Sequence, residues 1–393
     1  MKLGAFQEGI VALILVCQIA RATTLTSVPL PSAEGTIVGA AFSPDSKRVA
    51  IIRDATEAHA SEARHTIGIA DLGTGREVVR ADVLVGESLY LTTVPHFAQF
   101  SPDGRYLLLA TRGSDALFVL DAVSLQLVKR IELNPEMAGR KSLSGRPPLS
   151  KRVTNLAVAS NAEVFAVLTD DVQTGTNEVF IGSFPTGEVV KNWGIGEGRS
   201  QSELGQTSLS LSADGLRIAV SIMPLKKDKP PKNFNNLRLY RSDTGELISA
   251  IRTDIPIGPI ALLLEDNVLA SRIDAPSVFS KTTCSEKWSF ATRSVMARFC
   301  DQGRHIIDLG ASTASGLIAG FACQIHRDIE GNVFSIPGRV DLWDSKSGAL
   351  VAYSDEFPKG ISVYQDFQFS ADGSWLLAGQ MVFRVVGRGN SAQ

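Results

Sequence analysis

The sequence has few of the residue types on which most catalytic centres depend. Its 393 residues include five histidines and four cysteines, and only 7% are aromatic. A Gly-x-Ser-x-Gly nucleophile elbow and a Cys-x-x-Cys-His haem motif are both missing, which excludes an attached α/β-hydrolase domain and a c-type haem centre. The cysteine spacings match no metal-ligand pattern. We therefore predict no catalytic residue, no metal site and no cofactor.

A large net charge is also missing. The formal net charge is −2 and the isoelectric point is about 6.3, so no global field attracts the protein to nucleic acid. Hydrophobic residues make up 44% of the chain and charged residues 20%. This composition is typical of a protein with a packed core and argues against a disordered chain.

One apolar run, at the N-terminus, predicts a secretory leader. Lys2 precedes an apolar stretch at 10–20, and Ala20-Arg21-Ala22 matches the small-x-small pattern of a cleavage site. The alternative is an uncleaved membrane anchor, but the stretch is shorter than the roughly 20 residues that span a bilayer. We predict a signal peptide at 1–22, with Thr23 as the first mature residue, and an exported protein that is periplasmic or extracellular.

Three cysteines remain once the predicted leader has been removed: Cys284, Cys300 and Cys323. An oxidising compartment permits one disulfide and one free thiol among them. The sequence leaves open which two residues pair.

A short hairpin motif recurs along the chain. In its clearest form, at 100–110, an apolar strand enters a Ser-Pro-Asp-Gly turn and a second aliphatic strand leaves it. Glycine suits this turn because it adopts positive φ at little cost. Further copies lie at 42–50, 211–219 and 369–378, and weaker ones at 159–166, 262–270 and 299–307.

A second hairpin, which turns through Asp and Thr-Gly or Ser-Gly, follows most copies of the first. Its examples are 67–78, 117–125, 179–188, 237–246 and 340–349. Two hairpins in series form a four-stranded sheet that cannot bury both of its faces alone, so the copies must stack radially on one another. We predict an all-β fold, a β-propeller of four-stranded antiparallel blades with seven blades; six and eight remain alternatives.

The unit Phe-Ser-Pro-Asp-Gly-Arg-Tyr-Leu-Leu-Leu-Ala at 100–110, followed by Leu-Phe-Val-Leu-Asp at 117–121, resembles the WD-repeat-like and YVTN-type propeller repeats of bacteria. The resemblance covers nearly the whole chain after the leader. The Trp-Asp signature of regular WD repeats is matched only by Leu342-Trp343-Asp344. The resemblance implies the propeller fold and no particular activity.

The predicted domain organisation is therefore a leader at 1–22 and a single propeller at 23–393. The last hairpin copy supplies only three strands, which end near 382–386, and an apolar stretch at 25–30 precedes the first copy. That stretch is a candidate for the missing outer strand of the last blade. Pairing of the two chain ends would close the ring and remove an exposed edge.

The long segments between strands follow a pattern that predicts a functional face. In an up-and-down blade, the first and third turns lie on one face of the disc, and the second turn and the blade-to-blade connection lie on the other. The long segments all fall in the second class: 53–65, 134–152, 170–177, 193–206, 223–236 and 309–339. Long loops on a rigid scaffold usually carry binding, although surfaces also tolerate neutral insertions.

Two of these segments are basic and supply the candidate binding residues: Arg140, Lys141, Arg146, Lys151, Arg152, Lys226, Lys227, Lys229 and Lys232. A shared cationic patch would suit an acidic protein, an anionic polysaccharide or a lipid headgroup. The alternative is a solvated surface that serves solubility. Among aromatic residues only Phe234 lies between the basic ones, so nucleic acid is not expected as a partner.

Two functional hypotheses follow. The first is an exported binding or scaffolding module that uses the face with the long segments. The second is a propeller enzyme, lactonase- or isomerase-like, that acts on a small metabolite at the channel mouth. The second needs histidines and carboxylates near the axis, and His96 is a candidate for the channel mouth. His59 and His65, with Asp54 or Glu57, are the closest approach to a metal site, but no regular element holds their spacing.

Overall fold

The structure, a computed structural model, describes residues 23–28, 30, 35–54, 65–82, 95–111, 116–133, 151–171, 177–195, 208–222, 235–253, 257–263, 267–272, 284–300, 304–327, 333–354, 367–379 and 381–387. Over these ranges the chain forms seven four-stranded antiparallel sheets. The sheets are the blades of a seven-bladed β-propeller, as the repeat predicts. No helix long and apolar enough to cross a membrane occurs in these ranges.

The strands follow one another in chain order, four to a blade. The first strand, β1 (Thr24–Val28), belongs to the last blade. Blade 1 contains β2 (Thr36–Phe42), β3 (Arg48–Asp54), β4 (His65–Asp71) and β5 (Glu77–Asp82). Blade 2 contains β6 (Pro95–Phe100), β7 (Tyr106–Thr111), β8 (Ala116–Asp121) and β9 (Leu127–Glu132). Blade 3 contains β10 (Lys151–Val158), β11 (Val164–Asp171), β12 (Asn177–Ser183) and β13 (Val189–Gly194).

The later blades repeat this order. Blade 4 contains β14 (Ser208–Leu211), β15 (Arg217–Ser221), β16 (Leu237–Arg241) and β17 (Leu247–Ile251). Blade 5 contains β18 (Ile257–Leu262), β19 (Asn267–Arg272), β20 (Ser285–Ser289) and β21 (Ser294–Phe299). Blade 6 contains β22 (His305–Ser312), β23 (Leu317–Arg327), β24 (Val333–Asp344) and β25 (Leu350–Ser354). Blade 7 contains β26 (Phe367–Phe369), β27 (Trp375–Ala378) and β28 (Met381–Val386), with β1 outside β28.

The two ends of the described chain meet in blade 7. Strand β1 pairs antiparallel with β28, from Thr24 opposite Val386 to Val28 opposite Val382. Leu25 of β1 also packs against the core between blades 6 and 7. Pairing of the two ends therefore gives the last blade its fourth strand and closes the ring, so that β28 is not left as an unpaired edge.

The apolar core is a ring of clusters rather than a single centre. The seven clusters of buried residues each contain side chains from two neighbouring blades, including the pair formed by blades 7 and 1. Strands in the middle of a blade are buried on both faces, as in Leu107, Leu108 and Leu109 of β7, which are at most 1% exposed. The alternation of apolar and polar residues is therefore weak in these strands, because each face packs on a different neighbour.

The first turn of each regular blade is held by a Ser–Asp pair. In blade 2 the Ser101 hydroxyl donates to Asp103 (2.6 Å) and accepts from the Tyr106 amide (2.9 Å), and Gly104 has φ +71°. In blade 4 the hydrogen bond from Ser212 holds the pKa of Asp214 below its usual value. The motif predicted from sequence as a tight turn is therefore a hydrogen-bonded unit whose carboxylate is ionised.

One copy of the repeat is misplaced by the sequence analysis. The segment 299–307 is not a hairpin: Phe299 ends β21, His305 begins β22, and the chain passes there from blade 5 to blade 6. The first turn of blade 6 lies instead at 313–316, between β22 and β23. The blade count is unchanged because one hairpin replaces the other. The sequence Asp-x-Gly at 301–303 matches the turn motif although no first turn lies there. The first turn of blade 6 has Ser312 and Gly316 and contains no aspartate.

The prediction of a long segment at 309–339 is also wrong. Most of this range is regular strand, since it contains the end of β22, all of β23 and the first half of β24. Five glycines, at 310, 316, 320, 331 and 338, and Pro337 give the range a loop-like composition. Gly310 is required by packing, because a Cβ there would lie 2.7 Å from the Phe367 carbonyl oxygen of the next blade.

The structure also selects the disulfide pair. Cys284 and Cys300 are bonded, and they lie immediately before β20 and immediately after β21. The bond thus ties the two outer strands of blade 5 at the end opposite their turn. Cys323 lies in β23.

Candidate functional site

The two faces of the disc differ in the length of their connections. The first and third connections of the blades have at most five residues: 43–47, 72–76, 101–105, 122–126, 159–163, 184–188, 212–216, 242–246, 263–266, 290–293, 313–316, 345–349 and 370–374. We call the face that they form the short-connection face. On the opposite face, the long-connection face, connections reach from 133 to 150 and from 222 to 236.

First turns on the short-connection face bind the first turns of neighbouring blades. The Asn161 amide of blade 3 donates to the Ala213 carbonyl of blade 4 (2.8 Å). The Asp372 amide of blade 7 donates to the Ser46 hydroxyl of blade 1 (3.2 Å), across the point where the ring closes. In blade 4, a Cβ added to Gly215 would lie 3.3 Å from Val164 of blade 3.

In blades 3 and 4 the third turn on the same face packs on the outer strand of the preceding blade. A Cβ at Gly245 of blade 4 would lie 2.7 Å from the Trp193 ring of β13, and one at Gly187 of blade 3 would lie 2.6 Å from Ile131 of β9. The Ser249 hydroxyl of β17 donates to the Phe290 carbonyl in the third turn of blade 5 (3.1 Å). Turns of this face thus contribute contacts between blades, while several of their charged side chains are exposed.

The long-connection face carries the remaining chain length. Its longer connections are 55–64, 83–94, 133–150, 195–207, 222–236, 273–284 and 355–366. Each of blades 1 to 6 has such a connection within it or at its junction with the next blade. Because loops on a rigid scaffold can vary without loss of the core, this face is the candidate recognition surface.

The candidate basic residues are only partly covered by the structure. Arg140, Lys141, Arg146, Lys226, Lys227, Lys229 and Lys232 lie outside the described residues. Lys151 and Arg152 are the first two residues of β10 rather than loop residues, and their cross-strand partners are Asp171 and Asp170 of β11. Both positions therefore belong to the regular strand pair rather than to a connection.

The candidate histidines are also placed by the fold. His65 is the first residue of β4 and is 7% exposed; its Nδ1 lies 3.6 Å from Asp54 Oδ1. Burial lowers the pKa of His65, and the Asp54 carboxylate opposes that shift only in part. Within the described ranges no group of three potential metal ligands occurs; His59 and Glu57 lie outside them.

The other histidines lie in strands. His96 is in β6, His305 begins β22 and His326 is in β23; their side chains are outside the described part of the chain. The sequence placed His96 just before a strand, whereas the register of β6 shifts between Pro95 and Phe97, which makes His96 the bulged residue of an inner strand. Bulges of this kind change the direction of a strand at the rim of a sheet.

Next to His65, an ionic cluster is enclosed in blade 1. Arg53 of β3 is 1% exposed, and its Nη1 lies 3.9 Å from Glu77 Oε1. Glu77 also forms an ion pair with Arg80. A Cβ at Gly68 would collide with the Glu77 carboxylate. The glycine therefore leaves room for Glu77 to approach Arg53. The cluster joins β3 to β5, with Arg53 buried and the Arg80 side chain 42% exposed, which gives it a structural role.

The end of the central channel nearest the short-connection face carries a glutamine pair. The Gln368 amide of β26 donates to Gln99 Oε1 of β6 (3.3 Å), although blade 1 lies between blades 7 and 2. Equivalent inner-strand positions carry small side chains, including Ala41, Ala157 and Ser210. Ala41 of the intervening blade 1 is fully buried, so this position adds no exposed group to the channel. Both glutamines directly precede Phe-Ser in their repeats, a signal that the sequence analysis overlooked.

The repeat in the sequence and the blades in the structure both indicate a propeller, and neither identifies a particular propeller family. No protein-family model matches the chain, and a search of curated proteins finds no match. The seven-bladed architecture is a repeat-built propeller on the evidence of its own strands. The WD-repeat-like or YVTN-type assignment rests on the repeat sequence.

Proposed function

We propose that the protein is an exported scaffold that binds a macromolecular partner through the long-connection face. This proposal rests on the difference between the two faces. Turns of the short-connection face contact neighbouring blades, and the long-connection face carries nearly all the longer connections. Neutral insertions would fall on both faces, because the entropic cost of loop closure rises slowly with length. Because the longer connections are concentrated on one face, we expect recognition to take place on that face.

Export is supported by two features. The segment 1–22 has the charged start, the apolar run and the small-x-small site that are typical of a secretory leader. The Cys284–Cys300 disulfide is a feature that persists in oxidising compartments and is rare in reducing ones. A periplasmic or extracellular location is therefore part of the proposal.

A protein with an acidic surface is the partner that the charges favour. The connections 134–150 and 223–234 carry Arg140, Lys141, Arg146, Lys226, Lys227, Lys229 and Lys232. They belong to the junction of blades 2 and 3 and to blade 4, so they start from neighbouring parts of one face. Charge of one sign on such a surface raises association rates with partners of the opposite sign. Anionic polysaccharide and lipid headgroups share this chemistry.

The test is affinity capture from a periplasmic or culture-fluid extract, with mass spectrometry of the retained material. One variant reverses three charges on the long-connection face: Lys226→Glu, Lys227→Glu and Lys229→Glu. A matched control reverses three exposed charges on the short-connection face: Lys47→Glu, Arg76→Glu and Lys346→Glu. Both variants change the net charge by the same amount. We expect at least a roughly tenfold loss of capture in the first variant and little change in the second.

The outcomes separate the versions of the proposal. Equal loss in both variants would show a response to net charge and remove the basic loops as the binding surface. A second variant, with Arg140→Glu, Lys141→Glu and Arg146→Glu, asks whether the two loops act on the same partner. If the wild-type protein retains no macromolecule from either extract, the scaffold proposal itself fails.

A further inference from the structure

Strand β1 has its partner at the other end of the chain. It has five residues and pairs with β28, from Thr24 opposite Val386 to Val28 opposite Val382. Thr24 and Val386 are 362 positions apart in the sequence, whereas the other strand pairs of the described blades join consecutive strands. Blade 7 therefore cannot be completed until the last strand of the chain has been made.

Packing on both sides of blade 7 adds to the pairing of β1. Leu25 packs against the core cluster between blades 6 and 7, and Leu30, just after the strand, packs against the cluster between blades 7 and 1. Thr23, just before the strand, is only 6% exposed. A segment that is paired and packed in this way becomes accessible only through local opening of the ring.

The predicted leader ends directly at this strand. Cleavage after Ala20-Arg21-Ala22 would free the amino group of Thr23, and Thr24 already belongs to β1. The chain therefore has no spacer between the bond to be cut and the strand that closes the ring. The residues that follow the bond are the buried Thr23 and the paired residues of β1.

A protease and blade 7 compete for the same residues. Sites that proteases cut readily lie in exposed chain that is free of secondary structure. On the C-terminal side of the predicted cleavage site, these residues are paired with β28 in the completed propeller. Because the same segment cannot lie in a protease cleft and in blade 7 at once, cleavage of the closed ring requires β1 to leave the blade first.

The order of synthesis leaves this bond accessible at first. At about 5–20 residues per second, the 362 positions that separate Thr24 from Val386 take roughly 20–70 s to synthesise. During this time β1 exists and β28 does not. The bond before Thr23 is therefore open to cleavage while the chain is being made, and it becomes protected when β28 arrives and pairs with β1.

We propose that removal of the leader precedes closure of the ring, and that β1, once paired with β28, protects the bond between Ala22 and Thr23 from cleavage. This inference rests on the export that is part of the proposed function. The reaction is hydrolysis of one peptide bond: water adds across the amide and leaves a carboxylate on Ala22 and an amino group on Thr23. A chain that closed its ring first would retain its leader.

The test replaces residues 1–22 by a soluble domain and the recognition sequence of a protease that reads only residues before the cut. In the direct fusion this sequence adjoins Thr23, and in the control about eight flexible Gly/Ser residues separate the two. Synthetic peptides that span each junction give the cleavage rates without a fold. We expect the spaced fusion to match its peptide and the direct fusion to be cut at least about tenfold more slowly than its own, because only the opened population is cleaved.

Two variants of the direct fusion connect the protection to the packing of β1. Leu25→Asp removes an apolar contact with the core between blades 6 and 7 and should raise the cleavage rate toward that of the peptide. Thr26→Asp places the same charge at an exposed position of the same strand and should change the rate little. Thermal unfolding establishes that both variants are folded, and the comparison of the two wild-type fusions depends on neither.

The outcomes separate this inference from the export on which it rests. A direct fusion that is cut as fast as its peptide would overturn the inference, and so would equal acceleration by Leu25→Asp and Thr26→Asp. Amino-terminal sequencing of the exported protein, which should begin at Thr23, tests export by itself. An exported protein that begins at Thr23, together with unprotected fusions, would leave export standing and refute only the order. A chain that is not exported would refute both.

Discussion

The two faces of this propeller are made from the same repeat but are stabilised in different ways. On the short-connection face, turns of at most five residues bind their neighbours through backbone contacts such as Asn161 to Ala213. On the long-connection face, the two outer strands of blade 5 are tied by the Cys284–Cys300 disulfide. The comparison teaches that a repeated turn can both reverse the chain and join blades, whereas the opposite face has connections of unequal length.

The largest effect is expected from removal of the covalent link. The double variant Cys284→Ser, Cys300→Ser releases a loop with a sequence separation of 16, for which the chain-entropy model gives a loss of about 3 kcal/mol in the free energy of unfolding. Urea denaturation of the two proteins measures it. Reductant should destabilise the wild type and leave the variant unchanged; equal sensitivity would show that the link does not stabilise this face.

A slightly smaller effect is expected from a methyl group on the short-connection face. Gly245 has φ +74°, and a Cβ there would lie 2.7 Å from the Trp193 ring. Gly245→Ala should therefore cost about 2–3 kcal/mol, from backbone strain and overpacking together. Gly75 occupies the equivalent turn of blade 1 with φ +67° and no described atom within 4 Å of a Cβ. Gly75→Ala should lower the free energy of unfolding by only about 1 kcal/mol. Equal losses in the two variants would show that contact with the neighbouring blade does not contribute at Gly245.

A moderate pH effect is expected at the start of β4 on the long-connection face. Burial lowers the pKa of His65 in the folded protein, so below the unfolded-state pKa of about 6.5 the unfolded chain binds more protons. The stability contributed by neutral His65 is complete above that pH and is lost as the pH falls below it. The slope cannot exceed about 1.4 kcal/mol per pH unit for this one group.

The control for this pH effect is His65→Gln. Denaturation between pH 7.5 and pH 5 should show a smaller loss of stability in the variant than in the wild type. An identical pH dependence would mean that other groups produce it. The carboxylates with lowered pKa in the turns, such as Asp214, lose their contribution only at lower pH, below the unfolded-state pKa of aspartate.

A small effect is expected from the glutamine pair in the channel. Loss of the hydrogen bond between Gln368 and Gln99 should cost about 1 kcal/mol. A double-mutant cycle with Gln99→Ala and Gln368→Ala measures their coupling, which should lie near 0.5–1.5 kcal/mol. Additive losses would show that the pair does not brace blades 7 and 2 across blade 1.

The smallest effect on stability is expected from extra chain on the long-connection face. Five Gly/Ser residues inserted after Lys229 should change the free energy of unfolding by less than about 0.6 kcal/mol, because closure entropy grows slowly with loop length. The same insertion after Val123, in a third turn of the opposite face, should cost several times more. Equal costs would remove the distinction between the faces.

Much of the fold was predictable because each blade repeats local chemistry. Ser101, Asp103 and Gly104 form their turn from contacts among near neighbours, so the turn can be read wherever the letters recur. The first turn of blade 6 was predicted at the wrong place for the same reason. Residues 301–303 match the turn motif but form no first turn, and residues 313–316 form the turn but lack the motif. Strand length in β23 and β24 depends on cross-strand pairing, which local composition does not reveal.

Of the candidate site, the sequence could indicate a face and not the contacts on it. The sequence by itself determined the four-stranded unit and the side on which chain accumulates, and it predicted seven blades, because turn chemistry and apolar patterning act over a few residues. The tertiary structure decided which cysteines pair, that Lys151 and Arg152 stand opposite Asp171 and Asp170, and that Gln99 reaches Gln368. Those outcomes depend on residues far apart in the chain, whose meeting is a consequence of ring closure.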